Sequence, residues 1–304
     1  MTNRTTVESR CGFAVLLGAP NSGKSTLLNQ LLQTKVSIVS RKVQTTRRSL
    51  RAIALEGNTQ IIFVDTPGIF TPKRRLDRAM IASAWQSGSD ADAAALLIDS
   101  VKGVTADVEN IIAQLPEISA TKILVLNKVD IAERPRLLEL AAKLNGMLSF
   151  AQTFMVSALT GDGVVKLKHE LANLMPAGPW LYPEDQISDA PLRFLAAEIT
   201  REKLFERLHD ELPYLLTVET ERWQDLPDGS ARIEQTIFVT REGHKKIVIG
   251  EGGRVIKTIG TAARREIMAA AGQNVHLFLF VKVRERWLDD PERYREMGLE
   301  FPKE

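Results

Sequence analysis

Gly18, Gly23, Lys24 and Ser25 in the stretch GAPNSGKST fit the spacing G-x-x-x-x-G-K-[ST], after an apolar run and before a helix-like one. That chemistry suits a polyphosphate. Glycines let successive backbone N–H groups curl round a β-phosphate, with Asn21, Ser22 and Thr26 in the same cradle. Lys24 brings a cation toward the β- and γ-phosphates, Ser25 supplies an oxygen for Mg²⁺, and the helix N-terminus favours an anion. A second glycine loop, Gly250 to Gly253 in IVIGEGGRVIKTIG, also runs into a helix-like segment. A chain with one good phosphate cradle does not need another, so this loop calls for a different occupant.

The base is read elsewhere. In VLNKVD, Asn127, Lys128 and Asp130 stand at the end of an apolar run, where open α/β sheets place ligand contacts. A carboxylate at Asp130 can accept from both the ring N–H and the exocyclic amine of guanine, a pair of adjacent donors that adenine lacks. The stem of Lys128 can pack over the ring. In VSAL, Ser157, Ala158 and Leu159 follow another apolar run and can offer a backbone N–H to the guanine oxygen. GTP is the nucleotide these groups select.

Between these motifs lies FVDTPG. Asp65 can hold Mg²⁺ through water, and Gly68, two residues past Thr66, presents an amide to a γ-phosphate, so the loop can feel the difference between GTP and GDP. In VQTTRR, the hydroxyl of Thr45 or Thr46 supplies the second protein ligand of Mg²⁺; Thr46 is the assigned residue, making Ser25, Thr46 and Asp65 the metal set. Lys24, Thr46 and Gly68 form the catalytic set. Asp99, in LLIDS, lacks a following glycine and reads as structural. Enzymes that orient water with a Gln directly after D-x-x-G differ from this chain, which has Ile69 there; intrinsic hydrolysis is expected to be slow.

The elements that must position these groups follow two patterns. From Gly12 to about Met175, FAVLLG, QIIFVD, AALLID, KILVLN and TFMVS each precede a turn and a helix-like segment. Continuous apolar strands are buried on both faces, as in a mostly parallel sheet covered by helices. Gly57-Asn58 reads as a hairpin turn, which makes one strand antiparallel. The proline-rich connector MPAGPWLYPEDQISDAP sets the expected boundaries: 1–178 for an α/β domain, 179–190 for a linker, 191–304 for a second domain. The second domain reads α-β-β-α-α-β, with a hairpin at PDG, and is α+β.

Composition narrows the class further. With 304 residues, 44% hydrophobic and 26% charged, the chain can bury two ordinary cores. A net charge of +2 and a pI near 8.6 do not mark a nucleic-acid binder, so any basic surface must be local. One cysteine, Cys11, excludes an internal disulfide, and four scattered histidines (His169, His209, His244, His276) form no zinc pattern. Neither a signal-peptide pattern nor a membrane-length apolar run is visible, and a protein of a reducing, cytoplasmic compartment is expected.

Five motifs in order, GAPNSGKS, QTTR, DTPG, NKVD and SAL, joined to LYPEDQISD and VIGEGGRVIKTIG, make the whole chain resemble the bacterial Era-type GTPases. The resemblance implies a P-loop GTPase domain with a six-stranded sheet, followed by a type II KH domain. It gives the second loop an occupant: the G-x-x-G turn lets about four single-stranded nucleotides approach the backbone. Candidate RNA contacts are Lys245, Lys246, Ile249, Gly250, Glu251, Gly252, Gly253, Arg254, Ile256 and Lys257, with Val255 and Ile259 as further groove residues and Arg264 and Arg265 as further charges. Glu251 departs from the commonest loop by placing an anion where phosphates would pass. The resemblance also implies Mg²⁺, a potassium ion at Asn21, the 3′ end of 16S rRNA as ligand, small-subunit assembly as the process, a monomer, and loose contact with the inner membrane. Two rival readings are an RNA-binding protein whose nucleotide site does not gate RNA, and a membrane-associated GTPase acting on a protein partner. A P-loop kinase or ATPase is disfavoured by NKVD.

Overall fold

The computed structural model describes residues 8–302, which fold as two compact units. One comprises residues 8–37, 46–189 and 298–302; the other comprises 38–45 and 190–297.

The first unit is an α/β sandwich. Strands β1 (Arg10–Leu17), β2 (Leu50–Glu56), β3 (Thr59–Asp65), β4 (Ala93–Asp99), β5 (Thr121–Asn127) and β6 (Gln152–Val156) form one sheet in the order β2-β3-β1-β4-β5-β6. All neighbours are parallel except β2 and β3, whose hairpin turns at Gly57, φ +59°. Every residue of β3 and β4 is buried, the signature of strands covered on both faces. Helices α1 (Lys24–Leu32), α2 (Arg75–Ser89), α3 (Ala106–Gln114), α4 (Arg134–Met147) and α5 (Val164–Leu174) supply that cover. Val15, Leu17, Ile69, Leu96, Ile98, Ile111 and Leu124 meet in one core cluster. The carboxyl ends of β1, β3, β5 and β6 therefore present the four nucleotide motifs at one edge of a rigid sheet.

The second unit runs α6 (Leu192–Arg207), β7 (Leu216–Asp225), β8 (Ala231–Val239), α7 (Glu242–Ile249), α8 (Arg254–Ala271), β9 (Val275–Val283) and α9 (Pro291–Glu296). Its sheet has the order β7-β8-β9, with an antiparallel hairpin followed by a parallel crossover through α7 and α8. In α8, Ile259, Ala263 and Ile267 recur every four residues and are buried, while the other face stays charged. The α-β-β-α-α-β order and the single antiparallel strand of the first sheet agree with the expected fold class.

The boundaries differ from those expected. Residues 179–189 are docked on the first unit: buried Gln60 accepts at Oε1 from Leu181 N–H (2.9 Å) and Tyr182 N–H (3.0 Å), and Ile187 O accepts from Ile53 N–H at 3.0 Å. A proline-rich composition signalled absence of regular structure, but these backbone groups found partners on the sheet edge. Residues 38–45, by contrast, group with the second unit.

Candidate nucleotide site and nucleic-acid interface

The phosphate loop lies between β1 and α1, and its glycines are there for two reasons. Gly18 (φ +151°) and Gly23 (φ +98°) hold backbone angles that L side chains rarely adopt. Neither has room for a Cβ, which would lie 2.5 Å from Leu97 O at Gly18 and 2.2 Å from Asn127 Nδ2 at Gly23. Asn21 adopts φ +63° between them, leaving the loop curled ahead of the N-terminus of α1. Lys24 is buried, its Nζ donating to Gly18 O (3.1 Å) and Ala19 O (3.2 Å). Burial pulls its pKa down to about 8, against the opposing pull of Asp65. Ser22 Oγ is buried with no partner. A desolvated cation and a spare hydroxyl inside a glycine cradle fit a phosphate group.

Ser25, Thr46 and Asp65 meet beside it. Ser25 Oγ donates to Asp65 Oδ2 at 2.7 Å and lies 3.0 Å from Thr46 Oγ1. Thr45 points elsewhere, donating to Lys42 O at 2.7 Å, so the geometry favours Thr46 of the two threonines. Asp65 is fully buried, and burial raises its carboxyl pKa against the hydrogen bonds and the Lys24 charge that lower it. Its Oδ1 has no partner. An orphaned carboxylate oxygen next to two hydroxyls is a hard oxygen set, and it fits Mg²⁺. Ser37, absent from the expected set, donates to Asp65 Oδ2 at 2.9 Å and fixes the carboxylate's orientation. No motif flagged it, because a serine twelve residues past Ser25 has no spacing rule.

The Thr66 hydroxyl is buried and donates to Leu16 O at 2.7 Å, tying β1 to the loop. Gly68 approaches Pro20 so closely that a Cβ would sit 2.9 Å from its Cα, and Ile69 N–H donates to Gly18 O at 3.1 Å. The two loops are therefore one packed object. Ile69 is buried in the core cluster, which agrees with a residue unable to orient water.

At the guanine end, Asn127 ties three loops together. Its Nδ2 donates to Ser22 O (2.8 Å), while Oδ1 accepts from Lys128 N–H (2.8 Å) and Ala158 N–H (2.9 Å). Ser157 N–H donates to Asp162 O. Of the VSAL amides, Leu159 N–H is then the donor still available for a base oxygen. Asp130 is exposed, and Lys128, at φ +67°, pairs with Asp99 at 2.5 Å. Asp99 also accepts from Val101 N–H at 3.0 Å, a structural role that orients Lys128 as well.

The second glycine loop is built differently. Gly250 (φ +72°), Gly252 (φ +59°) and Gly253 (φ +75°) turn the chain from α7 into α8. Only Gly250 is crowded, with Val255 2.4 Å from its hypothetical Cβ; Gly252 and Gly253 face open space. Lys246, Arg254, Lys257, Arg264 and Arg265 are exposed, and none has an acidic partner among the described residues. On α8, residues 254, 257, 261, 264 and 265 share one face, so the cations form a stripe leading from the loop. Lys245 is the exception, 4.0 Å from Glu242. Ile249, Val255 and Ile256 are half-buried, as a groove wall requires. Ile259 is 2% exposed and belongs to the core with Leu204 and Val248, which corrects its assignment to the groove. Ile247, 56% exposed on α7, was not among the expected residues and adds apolar surface beside the loop.

A family profile for a 50S ribosome-binding GTPase matches residues 13–128, and one for a KH domain matches residues 211–288. The chain is 61% identical over 296 residues to the GTPase Era of Afipia carboxidovorans, spanning 97% of this chain and 96% of that protein. A solved structure of an Aquifex aeolicus Era variant bound to GDP.AlF4- matches with TM-score 0.90 at 37% identity, over 95% of this chain and 99% of that one. A solved Era in complex with MgGDPNP and nucleotides 1506–1542 of 16S ribosomal RNA matches with the same values.

Proposed function

Since this chain belongs to the GTPase Era family and is a GTPase with a carboxy-terminal KH domain, we propose that it is a switch whose nucleotide state governs its hold on single-stranded RNA. The observation that carries this reading is the combination of a glycine cradle with Ser25, Thr46 and Asp65 gathered beside it and an open, cationic G-x-x-G loop in one chain. The proposed RNA is the 3′ end of 16S rRNA, the segment bound in the Era complex described above. The proposed process is small-subunit assembly.

In the nucleotide site, Ser25 and Thr46 would ligate Mg²⁺ with Asp65 behind them, and the ion would neutralise charge between the β- and γ-phosphates. Lys24 neutralises the same phosphates, the Gly68 amide senses the γ-phosphate, and the Asp130 carboxylate reads guanine. Ile69, buried directly after DTPG, has no polar group to orient the attacking water, so a slow intrinsic rate is proposed. A potassium ion beside Asn21 would add positive charge there. Among the described residues no helix is long and apolar enough to cross a membrane, so the membrane contact proposed for the family would be peripheral.

The test is fluorescence anisotropy with a single-stranded RNA carrying the 16S 3′ sequence, in the presence of a non-hydrolysable GTP analogue and then of GDP. Tighter binding with the analogue is expected. Equal affinity in both states would leave two independent modules and remove the gate.

A further inference from the structure

Residues 38–45 connect Ser37 to Thr46, both on the metal side of the nucleotide site, yet they pack on α6. Three side chains of α6 and its segment make the attachment. Val39 N–H donates to Glu202 Oε1 at 2.7 Å, and Lys42 Nζ reaches the carbonyl oxygens of Phe205 and Leu208. Arg201 contributes most. Its side chain is 2% exposed, and its guanidinium donates to Gln44 O at 3.4 Å and to Thr45 O. Glu198 grips the other edge of the fork, with Nε to Oε1 at 2.8 Å and a second contact from Nη2, and the Phe205 ring lies 5.2 Å beneath.

A buried guanidinium is costly unless its donors are met, and here they are met by the backbone of a loop. Thr45 O belongs to the planar peptide group that also contains Thr46 N. Fixing that oxygen places the start of residue 46, whose Oγ1 lies 3.0 Å from Ser25 Oγ. We propose that Arg201 is a positioning residue for Thr46: by holding the Thr45 carbonyl it sets the metal-ligating hydroxyl in place for the GTP state. The inference rests on Thr46 as a Mg²⁺ ligand.

The experiment uses the full chain and four variants: Thr46→Ala, Arg201→Ala, Arg201→Lys and Glu198→Gln. Affinities for GDP and for a GTP analogue are measured with Mg²⁺, together with amide hydrogen exchange over residues 38–46. Thr46→Ala is expected to weaken the analogue and spare GDP. Arg201→Ala should do the same, by about tenfold for the analogue, as expected for losing a charged hydrogen bond, and should speed exchange over 38–46. Arg201→Lys, which keeps the charge but not the fork, should recover part of the loss. If Thr46→Ala acts selectively but Arg201→Ala leaves both nucleotides unchanged, or weakens both equally, Arg201 only supports the fold and the proposal is wrong. If Thr46→Ala spares the analogue, the metal assignment fails first and takes the proposal with it. Should Arg201→Ala not fold, Glu198→Gln loosens the guanidinium without removing it; absence of any selective loss there overturns the idea equally.

Discussion

The two glycine loops solve opposite problems. At residues 18–25 the glycines are crowded and the lysine is buried, and Ser22 Oγ and the nearby Asp65 Oδ1 have no partner, an arrangement suited to enclosing a small anion. At residues 250–253 the second and third glycines face open space and the cations beside them are exposed. Such a loop is open enough to suit a polymer that passes over it. Enclosure gives specificity through desolvation, whereas an open clamp draws affinity from many weak contacts and is sensitive to salt.

The sharpest way to break this comparison is a double dissociation. Lys24→Ala is expected to weaken GTP and GDP by roughly 100-fold or more, because phosphate loses a desolvated cation, while leaving nucleotide-free RNA binding unchanged. Gly253→Asp should do the reverse, lowering RNA affinity by roughly 100-fold through added charge at the clamp with GDP affinity intact. Titration of both ligands against both variants checks it, and a variant that lost both ligands would show the loops to be energetically one site.

The next effect is pH. Phosphate is held by protonated Lys24, and burial brings its pKa down from 10.5 to about 8. GDP affinity should therefore be flat below pH 7 and fall above pH 8, by at most about tenfold per unit. RNA affinity rests on exposed cations and should stay level over that window. A flat GDP profile to pH 9.5 would mean that Lys24 keeps its proton in the nucleotide-free protein.

The smallest effect belongs to Glu251, exposed in the clamp. Glu251→Gln should raise RNA affinity about threefold at low salt and lose that gain at high salt, since screening removes the repulsion it relieves. A gain that persisted in high salt would point to a direct contact by residue 251.

Much of the fold was legible in the sequence, and because phosphate, Mg²⁺ and guanine each demand particular residue types beside strand ends, Lys24, Ser25, Asp65 and Asp130 stand out as candidates from sequence alone; the structure brings Lys24, Ser25 and Asp65 together. The mostly parallel sheet with one antiparallel strand followed from apolar runs and one Gly-Asn turn. What escaped depends on contacts between distant segments. Ser37 and Arg201 sit in stretches with no motif, and only the fold brings them to Asp65 and Thr45. Ile259 shows the converse: a type that suits a ligand was consumed by the core. The bracing of three loops by the Asn127 amide likewise needs the fold to be seen.

Ile69 gives the loop after β3 a restoring force. It is 4% exposed and sits among Val15, Leu17 and Ile98. Any swing of that loop large enough to withdraw it would expose an isoleucine side chain, at a cost of about 1.5–3 kcal/mol. The loop would thus work like a sprung latch: a γ-phosphate drawing on Gly68 would act against a mechanical load whose size is set by a single hydrocarbon side chain.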